Sequence, residues 1–210
     1  MSRGSFGAGI ALRTAVKQMK KTGNTKNSIV SAAWELFYRQ GYENTTIDDI
    51  VEASNTSKGS FYHYFSGKEG LLNTLSILFD EKYTELEPLL TGDQSPVEKL
   101  LFLNHELFYM IENTVSLDLL GRLLSSQLVS KSDRSLLDTN RTYYKLLRKI
   151  AIEGKDKGVF RDELSANDII KAYAVLERAL LYDWCICSGD YSLCSYAGQV
   201  MPTLLQGFCK

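Results

Sequence analysis

Apolar residues in this chain recur at intervals of three and four, and no window shows the sustained alternation with β-branched residues that a strand requires. Only Pro88, Pro96 and Pro202 interrupt its 210 residues, so long helices are free to form. Together these features constrain the chain to an all-α fold. Ile29, Val30, Ala33, Leu36 and Phe37 mark the apolar face of a first helix, capped at Asn24 or Thr25 and ended by Gly41. Thr46 and Asp49 form a capping box that opens a second, short helix. Asn55 suits a left-handed turn, and Ser57 caps a third helix over roughly 58–64. Ser66 and Glu69 have the spacing of a further box, which predicts a fourth helix running unbroken to about Leu86. Helices are then expected from Pro96, over Leu117–Val129, from a cap at Asp133 to near Gly158, from Ser165 or Asn167 to about Cys187, and over 192–208.

Charge divides the chain unevenly. Residues 1–70 carry nine Lys and Arg against six acids, and the remainder 15 against 19, within a net charge of −1. The first 34 residues hold no acid, and Leu12, Ala15, Val16 and Met19 recur at helical spacing with Arg13, Lys17, Lys20 and Lys21 between them. Residues 1–25 therefore read as a basic arm able to add phosphate contacts by charge alone. Residues 26–72 read as a head, with the motif at about 46–65, and residues 73–210 as a larger helical body.

The head carries the chemistry. A short helix, a four-residue turn and a second helix with a polar, acid-free start are the parts of a helix-turn-helix. In SKGSFYHYF, residues 57–65, Phe61 and Phe65 lie four apart on one helical face and turn inward. Lys58, Gly59 and Ser60 open the helix with side chains small or cationic enough to let it approach a base edge or phosphate. Tyr62 and His63 point elsewhere and can donate hydrogen bonds. Tyr64 is ambiguous. From Ala53 through Lys68 no carboxylate repels a phosphate backbone, and Lys68 adds a further cation.

Residues 26–72 resemble the DNA-binding head of the TetR family of transcriptional regulators. The resemblance lies in Ala32-Ala33, Leu36-Phe37, Gly41-Tyr42, Thr45-Thr46-Ile47, Ile50, Ser57-Lys58-Gly59-Ser60, Tyr62, Tyr64-Phe65, Lys68-Glu69 and Leu71-Leu72. Asn55-Thr56 stands where such proteins usually carry Gly-Val, and Gly67 where a polar or charged residue is common. The resemblance implies a homodimer on a palindromic double-stranded DNA operator. It implies that Thr46, Ser57, Lys58, Gly59, Ser60, Tyr62, His63 and Lys68 face the DNA. It further implies a small-molecule effector bound by the body, and dimerisation through residues about 166–208, with Ile169, Tyr173, Leu176, Leu180, Val200 and Leu204 supplying the contact. Phe102, His105, Phe108, Tyr109, Tyr143, Tyr144 and Trp184 are the candidate effector-binding residues.

No metal-ligand spacing, phosphate-binding glycine loop or nucleophilic triad stands out, so neither enzyme, cofactor nor metal site is expected. Cys185, Cys187, Cys194 and Cys209 read as reduced thiols, and no apolar run reaches membrane-spanning length, so the default location is cytoplasmic. The reading is a ligand-responsive repressor. An activator or thiol redox-gated regulator, and a helical enzyme or carrier with a non-DNA-binding head, stand as alternatives.

Overall fold

The computed structural model describes residues 24–129 and 134–210, and the basic arm before Asn24 and the expected cap at Asp133 lie outside them. The described residues form α1 (Thr25–Gln40), α2 (Ile47–Ala53), α3 (Lys58–Tyr64), α4 (Lys68–Leu72), α5 (Leu75–Leu86), α6 (Pro96–Thr114), α7 (Leu117–Val129), α8 (Thr142–Asp156), α9 (Ala166–Ile186) and α10 (Leu193–Gln206). Short 3-10 turns follow α5 at Glu87–Leu89 and precede α8 at Ser135–Leu137. The fold is all-α, and no helix among the described residues is long and apolar enough to cross a membrane.

The chain divides into two compact units. The first holds the described residues up to Leu78 together with Asn113–Leu136, and the second holds Phe79–Glu112 and Leu137–Lys210. In the first unit, Ile29, Ala33, Leu36 and Phe37 of α1 are buried with Ile50 of α2, Phe61 of α3 and Leu119, Leu120 and Leu123 of α7. Local chemistry sets the element ends. The Asn24 side chain accepts from Lys26 N–H, and Gly41 closes α1 at φ 84°, which glycine adopts without a Cβ penalty. The Thr46–Asp49 capping box is fully formed, and Ser57 accepts from Ser60 N–H. Asn55 takes the left-handed turn at φ 51°.

Two of the expected long helices are interrupted. The Ser66–Glu69 box does not form: Gly67 is the N-cap of α4 and makes no side-chain capping bond. The chain then breaks at Asn73-Thr74 before α5 begins. Here Thr74 Oγ1 donates to Leu71 O (2.6 Å) and accepts from the buried Trp34 indole N–H (2.8 Å), so a tertiary contact to α1 holds the turn. The stretch expected from Asp133 to Gly158 is likewise cut, because α8 starts at Thr142. Asp80 sets that start: its carboxylate takes a bidentate pair from Arg141 at 3.0 Å and accepts Tyr143 N–H at 3.3 Å. A side chain 61 residues upstream thus does the work of an N-cap. In contrast, Ser165 caps α9 through a complete box with Asp168, and Ser95 and Glu98 do the same for α6.

In the second unit α8 and α9 pack side by side, and α10 returns along α9. Cys209, after α10, forms an isolated antiparallel bridge with Phe160 of the segment between α8 and α9. Phe160 is fully buried against Gly154 of α8, where any added Cβ would overlap its ring. Gly154→Ala is therefore expected to cost roughly 1–3 kcal/mol by overpacking, read as a lowered midpoint in thermal or denaturant unfolding.

Candidate functional site

The surface of α2 and α3 is built on a single buried anchor. Phe61 is fully buried and Phe65 nearly so, with their rings 5.8 Å apart. Burying one such side chain is worth about 2–3 kcal/mol, which offsets the weak intrinsic stability of a seven-residue helix. The other face is then free. Ser57, Lys58, Gly59, Tyr62 and His63 are exposed, Ser60 is half-buried, and Thr46 is exposed at the start of α2. Tyr62 is 55% exposed while its ring packs edge-on to Phe61 at 5.4 Å. Tyr64 is also exposed and stacks edge-on with His63 at 4.8 Å.

Several of these groups are already engaged. Thr46 Oγ1 accepts from Asp49 N–H (3.1 Å), and Asp49 accepts from Thr46 N–H (2.8 Å). Those bonds hold the Asp49 carboxyl below its usual range. Ser57 and Ser60 hydroxyls share a hydrogen bond of 3.0 Å. Lys58 Nζ pairs with Asp48 Oδ1 at 2.7 Å, and that hydrogen bond raises the ammonium above its ordinary range.

Lys68 occupies a different environment. Its ammonium donates to Tyr42 O (2.6 Å) and Thr45 O (2.9 Å) and stands 4.3 Å from the centre of the Tyr42 ring. Arg122 of α7 also lies by that ring, at 4.8 Å. It reaches Asp118 with two bonds of 3.0 Å and Glu43 with a third. Tyr42 therefore sits with two cations over it, and burial, reinforced by Glu69, pushes its hydroxyl up to about 12. Lys68 ties the loop before α2 to α4, rather than standing free as a phosphate ligand. Neither Asp48 nor Arg122 stood out from the sequence, because nothing local shows that Asp48 meets a residue ten positions on or that Arg122 reaches Tyr42.

The candidate effector-binding residues of the second unit separate. Phe108, Tyr143, Tyr144 and Trp184 are buried and Phe102 is half-buried, whereas His105 and Tyr109 lie exposed on α6 with nearly parallel rings 6.4 Å apart. The interior instead centres on a residue that the apolar pattern concealed. Glu177 is 4% exposed, with Oε1 accepting from Asn104 (2.9 Å) and Oε2 from Tyr143 Oη (2.7 Å). Tyr173 also bonds to it and donates to Leu100 O at 2.8 Å. The Tyr83 hydroxyl is buried without a partner, its ring 5.1 Å from that of Tyr143. Burial pushes Glu177 above the ordinary carboxylate range despite these hydrogen bonds.

Comparison with known proteins decides what this geometry belongs to. Residues 29–75 match the family model described as bacterial regulatory proteins, tetR family. Residues 29–75 therefore carry the DNA-binding segment of the TetR family. Among its relatives, an uncharacterized HTH-type transcriptional regulator in the lacX 3' region of Lactococcus lactis is 39% identical over 80 residues, covering 37% of this chain and 40% of that protein. The transposon Tn10 TetC protein from Escherichia coli is 31% identical over 103 residues, 48% of this chain and 51% of TetC. These matches thus span about half or less of the length of those relatives. A solved structure of Thermus thermophilus FadR, described as a TetR-family transcriptional repressor in complex with lauroyl-CoA, aligns with TM-score 0.74 and 25% identity over 88% of this chain and 94% of its own. The helix-turn-helix is therefore that of the TetR-family model, and the all-helical fold around it is shared with the FadR structure.

Two outcomes follow from the site geometry. Lys68→Met is expected to destabilise the protein by about 1–3 kcal/mol, lowering its unfolding midpoint, while changing the salt dependence of duplex binding less than Lys58→Met does. For Glu177 the folded state keeps a proton that the unfolded chain gives up, so its stabilising contribution is intact at low pH and lost as pH rises through the raised value. Glu177→Gln should therefore gain stability relative to the unsubstituted protein as pH rises above about 4.5, where the unfolded glutamate loses its proton, measured by denaturant unfolding at each pH.

Proposed function

We propose that this TetR-family regulator is a dimeric repressor that binds a palindromic operator and is released by a small-molecule effector taken up in its second unit. The exposed, acid-free face of α3, with Ser57, Lys58, Gly59, Ser60, Tyr62 and His63 presented from a helix whose other side is locked by Phe61, carries the DNA-binding part of that reading. Thr46 borders this face. Lys68 supports it from behind.

A second copy is the partner that best accounts for the outer face of α9 and α10. Val175, Tyr182 and Ile186 lie within one stripe of α9, and Ile186 is 66% exposed. Tyr196 and Leu204 extend the apolar surface along α10. The stripe corrects the sequence expectation in detail: Ile169, Tyr173 and Leu180 are buried within the second unit, and Leu204 alone of the six expected contact residues is exposed. Pairing two such stripes would remove apolar area from water, which favours association.

The FadR neighbour, a repressor described in complex with lauroyl-CoA, supports a small-molecule effector. A ligand changes operator affinity only by its differential affinity for the DNA-competent and DNA-incompetent states. The redox alternative is less well supported. Burial pushes the Cys185 thiol up to about 11, and burial with nearby Asp183 and Asp190 raises Cys187. Burial also raises Cys194, with Glu112 and Glu106 adding to it. None of the three has the stabilised thiolate that a sensor cysteine uses.

Selection of duplexes from a random pool should return a palindrome whose half-sites lie about 10–10.5 bp, or a multiple of that, between centres. Recovery of single, unpaired half-sites would count against the dimeric reading. Ile186→Asp is expected to shift the protein toward monomer in sedimentation velocity and to lower operator affinity with it. A dimer unchanged by this substitution would place the interface elsewhere.

A further inference from the structure

We propose that Asp48 is a specificity-determining residue: it neutralises Lys58 on general DNA and releases it on an operator that places a G·C pair opposite the two side chains. The proposal rests on α3 being the helix that meets DNA. Asp48 lies in the first turn of α2 and Lys58 in the first turn of α3, joined at 2.7 Å. Their side chains are 67% and 63% exposed, so burial does not force them together. An ion pair in water contributes little to folding, and the neighbouring Asp49 is already committed to the Thr46 cap. The pair is therefore on the surface that carries the exposed motif residues, without a strong structural task.

Its chemistry fits a discriminating role. A free ammonium gains affinity from phosphate anywhere on a duplex, through counterion release that carries no sequence information. A lysine held by a carboxylate loses much of that gain, and the carboxylate itself is repelled by phosphate. A G·C pair offers both halves of the ion pair a replacement in the major groove. Guanine O6 and N7 accept from an ammonium, and the cytosine N4 amino group donates to a carboxylate. On that pair, Asp48 and Lys58 exchange one another for two base contacts. Elsewhere the exchange is incomplete, which disfavours the wrong site rather than only rewarding the right one.

The test uses the full chain, the operator recovered from a random pool by the unsubstituted protein, and a scrambled duplex of the same length. Asp48→Asn should tighten binding to the scrambled duplex by roughly tenfold at low salt and steepen its log K against log salt slope by about 1. The operator-to-scrambled ratio should fall. In a Lys58→Met background the fall in the operator-to-scrambled ratio on Asp48→Asn should disappear, leaving only the uniform gain from removing a carboxylate near phosphate, because discrimination acts through that lysine. An unchanged ratio, or a change in the ratio that persists without Lys58, overturns the proposal. Asp48→Ser, which also removes the charge, supplies the same comparison if Asp48→Asn folds poorly. Unsubstituted protein that binds no duplex at low salt would instead overturn the reading of α3 on which the proposal stands.

Discussion

Seven residues of helix do not hold together in water by themselves, so everything the first unit presents on α3 depends on the burial of Phe61. That ring is fully enclosed among residues of α1 and α2, and Phe65 follows it one turn later. Ser57 closes the other end by accepting from Ser60 N–H. With one face locked and one end capped, the remaining side chains need make no contribution to folding. Lys58, Tyr62 and His63 are exposed for that reason, and a helix this short stays rigid while giving away half its surface.

The loop before α2 is secured by charge instead. Tyr42 folds back on Phe37, with ring centres 4.9 Å apart, and carries Lys68 and Arg122 against its ring. Lys68 also donates to two loop carbonyls, Thr45 O and Tyr42 O, the second of which accepts from Thr45 N–H as well. Three residues distant in sequence thereby fix the entry to the helix-turn-helix. A cation in this setting is a structural fastening, since moving it to phosphate would give up its bonds to both carbonyls and its place over the Tyr42 ring.

The second unit makes a costlier choice. It places a carboxyl group, three tyrosine hydroxyls and an amide in its centre, where an apolar core of similar volume would be easier to stabilise. Glu177 is satisfied by Asn104, Tyr143 and Tyr173, while Tyr83 keeps an unpartnered hydroxyl beside them. A buried group without a partner is the kind of feature that stability alone does not select. On its outside, α9 and α10 leave Val175, Tyr182, Ile186, Tyr196 and Leu204 exposed.

What the chain determined by itself was whatever depends on neighbours in sequence. The capping boxes at Thr46 and Ser165, the stop at Gly41, the left-handed turn at Asn55 and the inward pair Phe61 and Phe65 all follow from spacings of three to five residues. Those are the distances over which a helix brings side chains and backbone together, so the head and its motif could be read directly. Only the tertiary structure decided the rest. Thr74 interrupts a helix because Trp34, 40 residues away, donates to it. Asp80 starts α8 from 61 residues away, Lys68 turns from surface cation to fastening, and His105 separates from the buried aromatics because it falls on the outer side of α6. Glu177 lay concealed in an ordinary amphipathic pattern, because its three partners come from two other helices and from one turn back along its own. Periodicity records which face a residue occupies, but what that face meets is settled by packing between segments far apart in the chain.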